Sequence, residues 1–190
     1  MNLFHWINGW SNSYAPFYDF LSEATKWIWV RIALGLIAIA LIAAGPQTRK
    51  AAFLSLAGFL LANFITDQFK NYLPLLRPCV ELFPNVVNHG VGFLDSKGTA
   101  SAHAANTAAI AFVMTFFLRY WGLIPIAIAF FTGVARIYVG VHYPSQVLLG
   151  WACGVAAGAV LALLYRTYDK RKNPQSEGLP MGVEPGNLNG

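Results

Sequence analysis

Long apolar stretches separated by short polar segments dominate this chain of 190 residues. A helix needs about 20 mostly apolar residues to cross the hydrocarbon core of a membrane, and five stretches approach that length. In chain order they are residues 27–44, 51–69, 101–118, 121–140 and 144–165. The third and fourth are so close that only a tight turn at 119–121 can join them. The pattern predicts an all-α fold, a polytopic transmembrane helical bundle with about five to six spans.

The two ends of the chain have different patterns. Residues 1–26 mix aromatic and polar side chains, which is typical of a helix that lies in the membrane interface. We expect this interfacial helix to be broken near Pro16, and a short sixth span is the alternative. Residues 173–190 are rich in Pro, Gly and Asn and carry no apolar pattern, so we expect a disordered tail. The membrane domain is therefore predicted over residues 1–172.

Composition supports a membrane environment. Apolar residues make up 56% of the chain and charged residues 11%, about half the charged share of ordinary globular proteins. The net charge of +5 raises the possibility of a nucleic-acid partner. However, the basic residues are scattered between apolar runs and do not form one polar face, so we expect membrane lipids and no nucleic acid as partners.

The basic residues also predict the orientation. If the stretches cross alternately, one side of the membrane receives Arg49, Lys50, Arg119, Arg166, Lys170, Arg171 and Lys172. The other side receives Lys26, Lys70, Arg77, Lys97 and Arg136. Since basic loops favour the cytoplasm, and since three residues of the second group have another use described below, the first side is predicted to be cytoplasmic.

Several reactive side chains fall on the non-cytoplasmic side, in or beside the loop 70–100 and at the end of the fourth stretch. They are Lys70, Arg77, Ser101, His103, Arg136 and His142. Most have an ordinary structural explanation: basic residues anchor helices at the interface, a serine caps a helix, and a histidine packs as a polar neighbour. Arg136 is harder to explain in this way, because an ionisable residue within an apolar span is costly and usually functional.

Together these groups favour a phosphate site. Arginine offers a planar fork to two phosphate oxygens, lysine adds a point charge, and the start of the third helix adds free N–H groups. Two histidines can divide nucleophilic and acid work near neutral pH. The acids in or beside the loop, Asp67, Glu81 and Asp95, do not have the spacing of a metal motif. We therefore expect no metal and no cofactor.

Three short motifs carry these residues. The first is Lys70, six residues, and then Arg77 and Pro78. The second is Ala-Ser-Ala-His at 100–103. The third is Ala135 and Arg136, followed by His142 and then Gln146.

In order, spacing and membrane placement, these motifs resemble the signature of the type 2 phosphatidic acid phosphatase (PAP2) family, whose fold is shared with vanadium haloperoxidases. The first motif matches in full, and the second keeps its Ser and His but lacks the family's Pro and Gly. The third has Ala135 in place of Ser and Gln146 in place of Asp. The match covers roughly residues 67–150.

The resemblance implies a role for each residue. The phosphate would be held by Lys70, Arg77, Ser101 and Arg136. His142 would attack phosphorus and form a phosphohistidine, and His103 would protonate the leaving oxygen and then help to activate water. Position 146 would orient His142. There the family's Asp brings a charge, whereas the Gln146 carbonyl only accepts a hydrogen bond, and its amide end could stabilise the wrong tautomer.

The resulting hypothesis is a lipid phosphatase of the bacterial inner membrane with its active site facing the periplasm. Candidate substrates are undecaprenyl diphosphate, a lipid A phosphate, phosphatidylglycerol phosphate and phosphatidic acid, with the small size of the chain favouring the first two. One alternative is a catalytically impaired protein that binds a lipid phosphate, motivated by Gln146. A small transporter is disfavoured because only Arg31 approaches the middle of a span. A haloperoxidase is disfavoured because those relatives are soluble.

Overall fold

The computed structural model describes residues 2–86 and 97–172, and the regular secondary structure of these residues is helical. The α-helices are α1 (Leu3–Asn8), α2 (Ala15–Glu23), α3 (Ile28–Ala44), α4 (Pro46–Tyr72), α5 (Pro78–Glu81), α6 (Ala102–Leu118), α7 (Leu123–Tyr138) and α8 (Pro144–Lys172). The predicted all-α class is confirmed. The predicted disordered tail, residues 173–190, lies outside the described residues.

Two long helices extend beyond the apolar stretches that predicted them. α4 begins at Pro46, because proline suits the first turn of a helix, and the polar residues that follow continue it. α8 continues through its basic end to Lys172. Lysine and arginine are good helix formers, and their charges are favourable at a helix C-terminus. Lys70 therefore lies in the last turn of α4 and not in the loop.

Length and composition alone identify three to four candidate membrane spans, and the count of five to six spans stays a prediction. Pro46–Tyr72, Ala102–Tyr138 and Pro144–Lys172 are long and apolar enough to cross a membrane. A fourth is added if Asn12–Lys26 and Ile28–Ala44, which meet at 71°, form one broken span. Within the described residues, length and composition thus support three to four spans.

The segment Ala102–Tyr138 contains the predicted tight turn. A short 3-10 helix, Arg119–Gly122, separates α6 from α7, and Arg119 has a positive φ of 51°. Ala104 near the start of α6 shares a buried cluster with Ile137 near the end of α7. The two helices are therefore folded back on each other at this turn.

The N-terminal segment is not one helix broken at proline. α1 ends at Asn8, with Gly9 as its C-cap, and Pro16 lies in the first turn of the separate helix α2, a position that suits proline. The segment packs on α7: Phe4 and Ile7 join the buried cluster of Ile137, and the Asn8 side chain donates to the Tyr138 carbonyl at 2.8 Å. That it lies in the membrane interface remains a prediction.

Glycines allow α8 to approach α6 closely. A Cβ atom on Gly150 would lie 2.5 Å from the Ser101 carbonyl oxygen, and one on Gly158 would lie 2.9 Å from Cβ of Phe112. Gly154, midway between them, faces the backbone of Ala105 at still closer range. Small residues spaced by four are a common way to pack membrane helices, and here they bring the start of α8 against the start of α6.

The two ends of the bundle differ in character. At one end, a cluster of Ala51, Val113 and Phe117 packs against Tyr165, and Lys50 lies 5.6 Å above the Tyr165 ring. Most of the basic residues assigned to the cytoplasm belong to this end, which we call the basic end. The opposite end is formed by the last turns of α4 and α7 and the first turns of α6 and α8.

Candidate active site

The residues that the sequence singled out lie at the end of the bundle opposite the basic end. Each one is placed by the terminus of a helix or by a loop beside it. They are Lys70 at the end of α4, Arg77 before α5, Ser101 and His103 at the start of α6, Arg136 at the end of α7, His142 in the following loop, and Gln146 in the first turn of α8.

A glycine turn brings His142 back to Arg136. Gly140 has a φ of 77°, a conformation that glycine adopts without strain. The N–H of Val141 donates to the Arg136 carbonyl at 3.2 Å, and the N–H of Gly140 donates to the Ile137 carbonyl at 3.0 Å. This is the Schellman pattern that ends many helices. The N–H of His142 also donates to the Arg136 carbonyl, at 3.1 Å, so both residues have fixed backbone positions.

The hydrogen bonds of the His142 ring fix its tautomer. Nδ1 lies 3.1 Å from Oε1 of Gln146 and 3.2 Å from the Gly98 carbonyl oxygen, and both of these oxygens can only accept. Nε2 lies 2.8 Å from Nη1 of Arg77, which can only donate. The hydrogen therefore resides on Nδ1, and the lone pair of Nε2 faces a cation.

The same reasoning fixes the amide of Gln146. Its Oε1 accepts from the N–H of Tyr143 at 3.2 Å, and its Nε2 donates to the Leu76 carbonyl at 2.9 Å. A flipped amide would place two donors together at Tyr143 and two acceptors together at Leu76. The carbonyl end of Gln146 therefore faces His142, in the orientation that supports the Nδ1–H tautomer.

Two residues that sequence reasoning missed close this part of the site. The Gly98 N–H donates to the Leu75 carbonyl at 2.8 Å, and the Thr99 hydroxyl donates to the Leu73 carbonyl. These bonds join the two ends of the loop that carries Arg77. A Cβ on residue 98 would lie 2.7 Å from Cγ of Arg77, so only glycine fits without a shift. In the sequence, the only indication of this closure was a glycine and a threonine just before the second motif.

Arg136 is 3% exposed and is held by the N-terminal segment. Its Nη1 donates to the hydroxyl of Ser22 at 2.6 Å and to the carbonyl of the same residue at 3.1 Å. A carboxylate oxygen of Glu23 lies 3.5 Å from the same nitrogen, and Glu23 also pairs with Lys26. Sequence reasoning identified neither Ser22 nor Glu23 as a partner of Arg136.

Besides Arg136, three of the predicted residues make no side-chain hydrogen bond to His142. Lys70 pairs with Asp67 at 3.0 Å. Ser101 caps α6, with its hydroxyl 3.4 Å from the Ala104 N–H, and its own N–H donates to the Gln146 carbonyl at 3.0 Å. The His103 ring makes no hydrogen bond to other described residues, but the charges of Arg136, Arg77, Lys26 and Lys70 all act on it.

The electrostatics around His142 favour a neutral ring. Burial lowers the pKa of His142 well below its usual value, and the charges of Arg77 and Arg136 lower it further. Within residues 2–86 and 97–172, no cluster of three His, Cys, Asp or Glu side chains is arranged to hold a metal ion. The site is thus a buried cluster of positively charged side chains around a neutral, oriented imidazole.

Comparison with known families covers the part of the chain that contains the three motifs. The family model of the PAP2 superfamily matches residues 51–171, which is well over half of the chain. This chain belongs to the PAP2 superfamily. The prediction of a phosphatase of this family, and hence of a phosphoric ester hydrolase, is confirmed.

Individual proteins of known function or structure are also similar to this chain. The chain is 34% identical over 134 residues to a decaprenylphosphoryl-5-phosphoribose phosphatase of Mycobacterium tuberculosis, covering 70% of this chain and 69% of the relative. It is 27% identical over 178 residues to a lipid A 4'-phosphatase of Porphyromonas gingivalis, covering 86% and 72%. The crystal structure of Aquifex aeolicus LpxE has the same fold, with a TM-score of 0.71 at 22% identity, covering 86% of this chain and 93% of that one.

The match to the PAP2 family model does not include the N-terminal segment. It begins at residue 51, so α1, α2 and α3 lie outside it. The contact between α2 and Arg136 therefore joins a residue of the third motif to a part of the chain that the family motifs do not describe.

Proposed function

We propose that this PAP2 protein hydrolyses a phosphate ester or diphosphate carried by a membrane lipid, through a phosphohistidine formed on His142 and without a metal. The observation that carries the proposal is the state of the His142 ring. Its Nδ1–H is held by two carbonyl oxygens, and the lone pair of Nε2 faces Arg77. With the hydrogen on Nδ1, Nε2 is the atom of His142 that can attack phosphorus, and in-line attack would require Arg77 to donate to the phosphate oxygens instead of to Nε2.

In the first step, Nε2 of His142 attacks phosphorus and the bond between phosphorus and the lipid oxygen breaks. His103, which must be protonated when the anionic substrate is bound, gives its proton to that oxygen, so the lipid leaves as an alcohol, or as a lipid phosphate if the substrate is a diphosphate. The ring of His142 becomes positively charged while it carries the phosphoryl group. The carbonyls of Gln146 and Gly98 stabilise this charge through Nδ1–H.

In the second step, His103 takes a proton from a water molecule, and the water oxygen attacks phosphorus. The bond between phosphorus and Nε2 breaks, which returns His142 to its neutral form and releases inorganic phosphate. The phosphoryl oxygens are held by Lys70, Arg77, Ser101 and Arg136. The charges of Lys70, Arg77 and Arg136 supply the stabilisation that a metal provides in other phosphoryl-transfer sites.

The proposed position of the site is the periplasmic face of the bacterial inner membrane. Five crossings by α3, α4, α6, α7 and α8 would leave the basic end in the cytoplasm, in agreement with the positive-inside rule. The same five crossings would leave the four helix termini of the site on the other side. The N-terminal segment, with its exposed aromatic residues Trp6 and Phe17, would then lie at the periplasmic interface.

The proposed substrates are polyprenyl-linked phosphates and lipid A phosphates, with phosphatidylglycerol phosphate as a further candidate. A relative named for a decaprenyl-linked substrate and one named for lipid A support this choice. All of these lipids present a phosphate at the membrane surface, where the site is proposed to lie, with the apolar anchor in the bilayer.

The second candidate function is binding of a lipid phosphate without turnover. It is favoured by Gln146, because a neutral amide at 3.1 Å from Nδ1 offers no charge to the phosphohistidine. The geometry opposes this candidate, since the amide has the orientation that catalysis needs.

The decisive experiment measures phosphate release from a panel of purified lipids in detergent. The panel contains undecaprenyl diphosphate, lipid A, phosphatidylglycerol phosphate and phosphatidic acid, each assayed with the native protein, with Gln146→Asp and with His142→Ala. We expect release by the native protein and none by His142→Ala. An inert native protein alongside an active Gln146→Asp variant would establish the binding function instead.

A further inference from the structure

The contacts of the Arg136 guanidinium are all on one side. Nη1 donates to the Ser22 hydroxyl at 2.6 Å and to the Ser22 carbonyl at 3.1 Å, with Glu23 3.5 Å away. No hydrogen bond to Nη2 is present among the described residues. Among the described residues, only Nη1 of the Arg136 guanidinium has hydrogen-bond partners.

The unused edge points to a ligand. Nε of Arg136 is buried, and it has no hydrogen-bond partner in the described part of the chain. A buried donor without an acceptor costs on the order of 1–3 kcal/mol, and more when the group is charged. Nε and Nη2 form the side edge of the guanidinium, which can donate two parallel hydrogen bonds to a phosphate.

The helix that supplies Ser22 is firmly attached to α7. The Tyr138 hydroxyl donates to the Ser11 carbonyl at 3.1 Å, and the rings of Tyr18 and Tyr138 lie 4.8 Å apart. Ser22 itself is fully buried, so water does not compete for its hydroxyl. The Ser22 hydroxyl is thus a fixed acceptor at a set distance from the end of α7.

We infer that Ser22 is a positioning residue of the active site: it holds Nη1 of Arg136 so that the Nε and Nη2 edge is presented to a phosphate oxygen pair of the substrate. The inference rests on the proposed function, and it adds a residue outside the segment matched by the PAP2 family. Glu23, beside the same nitrogen, balances the buried charge while the site is empty.

The test measures the affinity of inorganic phosphate, the reaction product, through its effect on the thermal unfolding of the purified full-length protein in detergent. The variants are Ser22→Ala, Arg136→Ala and the double variant. Ser55→Ala is the matched control. Ser55 is also a buried serine, but its hydroxyl has no hydrogen-bond partner among the described residues, and it lies in the half of α4 near the basic end.

We expect Ser22→Ala to weaken phosphate binding by roughly tenfold, the order of one hydrogen bond to a charged group. In the Arg136→Ala background the same change is expected to have no further effect, because Ser22 acts through Arg136. Ser55→Ala is expected to bind phosphate as the native protein does. In turnover assays, Ser22→Ala is expected to raise KM more than it lowers kcat.

Two results would overturn the inference. One is an equal weakening of phosphate binding by Ser22→Ala in both backgrounds, and the other is a lower unfolding temperature with unchanged phosphate affinity. If Ser22→Ala does not fold, the nearly isosteric Ser22→Cys, a weaker acceptor, is measured in its place with the same expectations. Failure of the native protein to release phosphate from any lipid would contradict the proposed function alone, since phosphate binding still reports on Ser22.

Discussion

Replacing Gln146 by leucine removes the acceptor that lies 3.1 Å from Nδ1 of His142 while keeping a side chain of similar size. The Gly98 carbonyl remains 3.2 Å from the same nitrogen and still favours the Nδ1–H tautomer. The variant therefore loses one of two supports for the ring, and the remaining one keeps Nε2 available for attack.

The expected loss follows from these distances. A hydrogen bond to a group that becomes charged contributes about 1.5–3 kcal/mol, which corresponds to a reduction in kcat/KM of about 10- to 100-fold. The loss of about 10⁴ for an Asp-to-Asn change in a serine-protease triad is an upper limit, because there the wrong tautomer is stabilised. In Gln146→Leu no donor replaces the lost acceptor.

The assay is the initial rate of phosphate release, with the thermal unfolding temperature measured on the same preparations. Gln146→Leu also leaves the Tyr143 N–H and the Leu76 carbonyl without their partner, so a modest loss of stability is expected. Gln146→Glu keeps the acceptor and serves as the comparison. A change below twofold in a folded Gln146→Leu protein would refute the orienting role, and a loss beyond 10⁴ would mean that Gly98 gives no support.

Three further predictions follow from the same geometry. Gly98→Ala is expected to lower kcat/KM at least tenfold, because its Cβ would displace Arg77; the control Gly35→Ala, which meets open space in α3, is expected to leave the rate unchanged, and equal effects would refute the packing argument. Because the lowered pKa of His142 keeps the ring neutral, the acid limb of kcat/KM is expected below about pH 6.5. The carboxylate of Gln146→Glu should raise that pKa and move the limb to higher pH, and a limb that does not move would contradict the assignment. Activity is expected to survive EDTA because basic side chains surround the phosphate, and a loss that Mg²⁺ restores would disprove this.

The sequence predicted the helices well because apolar runs directly report which segments lipid can surround. The helix ends were less accurate, since the polar residues after Gly45 and the basic residues after Tyr165 continue a helix without contributing to its apolar pattern. The three motifs could be found because their spacing is local and their positions at helix termini follow from the same apolar pattern.

The contacts that orient the site could not be predicted in the same way. The amide of Gln146 is fixed by the Leu76 carbonyl, 70 residues earlier in the chain, and Arg136 is held by Ser22 at a separation of 114 residues. Both depend on how helices pack and not on any periodic pattern. From the sequence alone, either end of the Gln146 amide could face His142. In the fold, the backbone groups of Tyr143 and Leu76 determine the orientation of the amide.

The central claim is that His142 carries the phosphoryl group during turnover. The most direct measurement is to mix the purified protein with a lipid substrate bearing radiolabelled phosphate, stop the reaction with alkali, and locate the label. The account predicts an alkali-stable, acid-labile phosphohistidine at His142, and neither label nor turnover in His142→Ala. Turnover by a folded His142→Ala protein, or label on another residue, would contradict it.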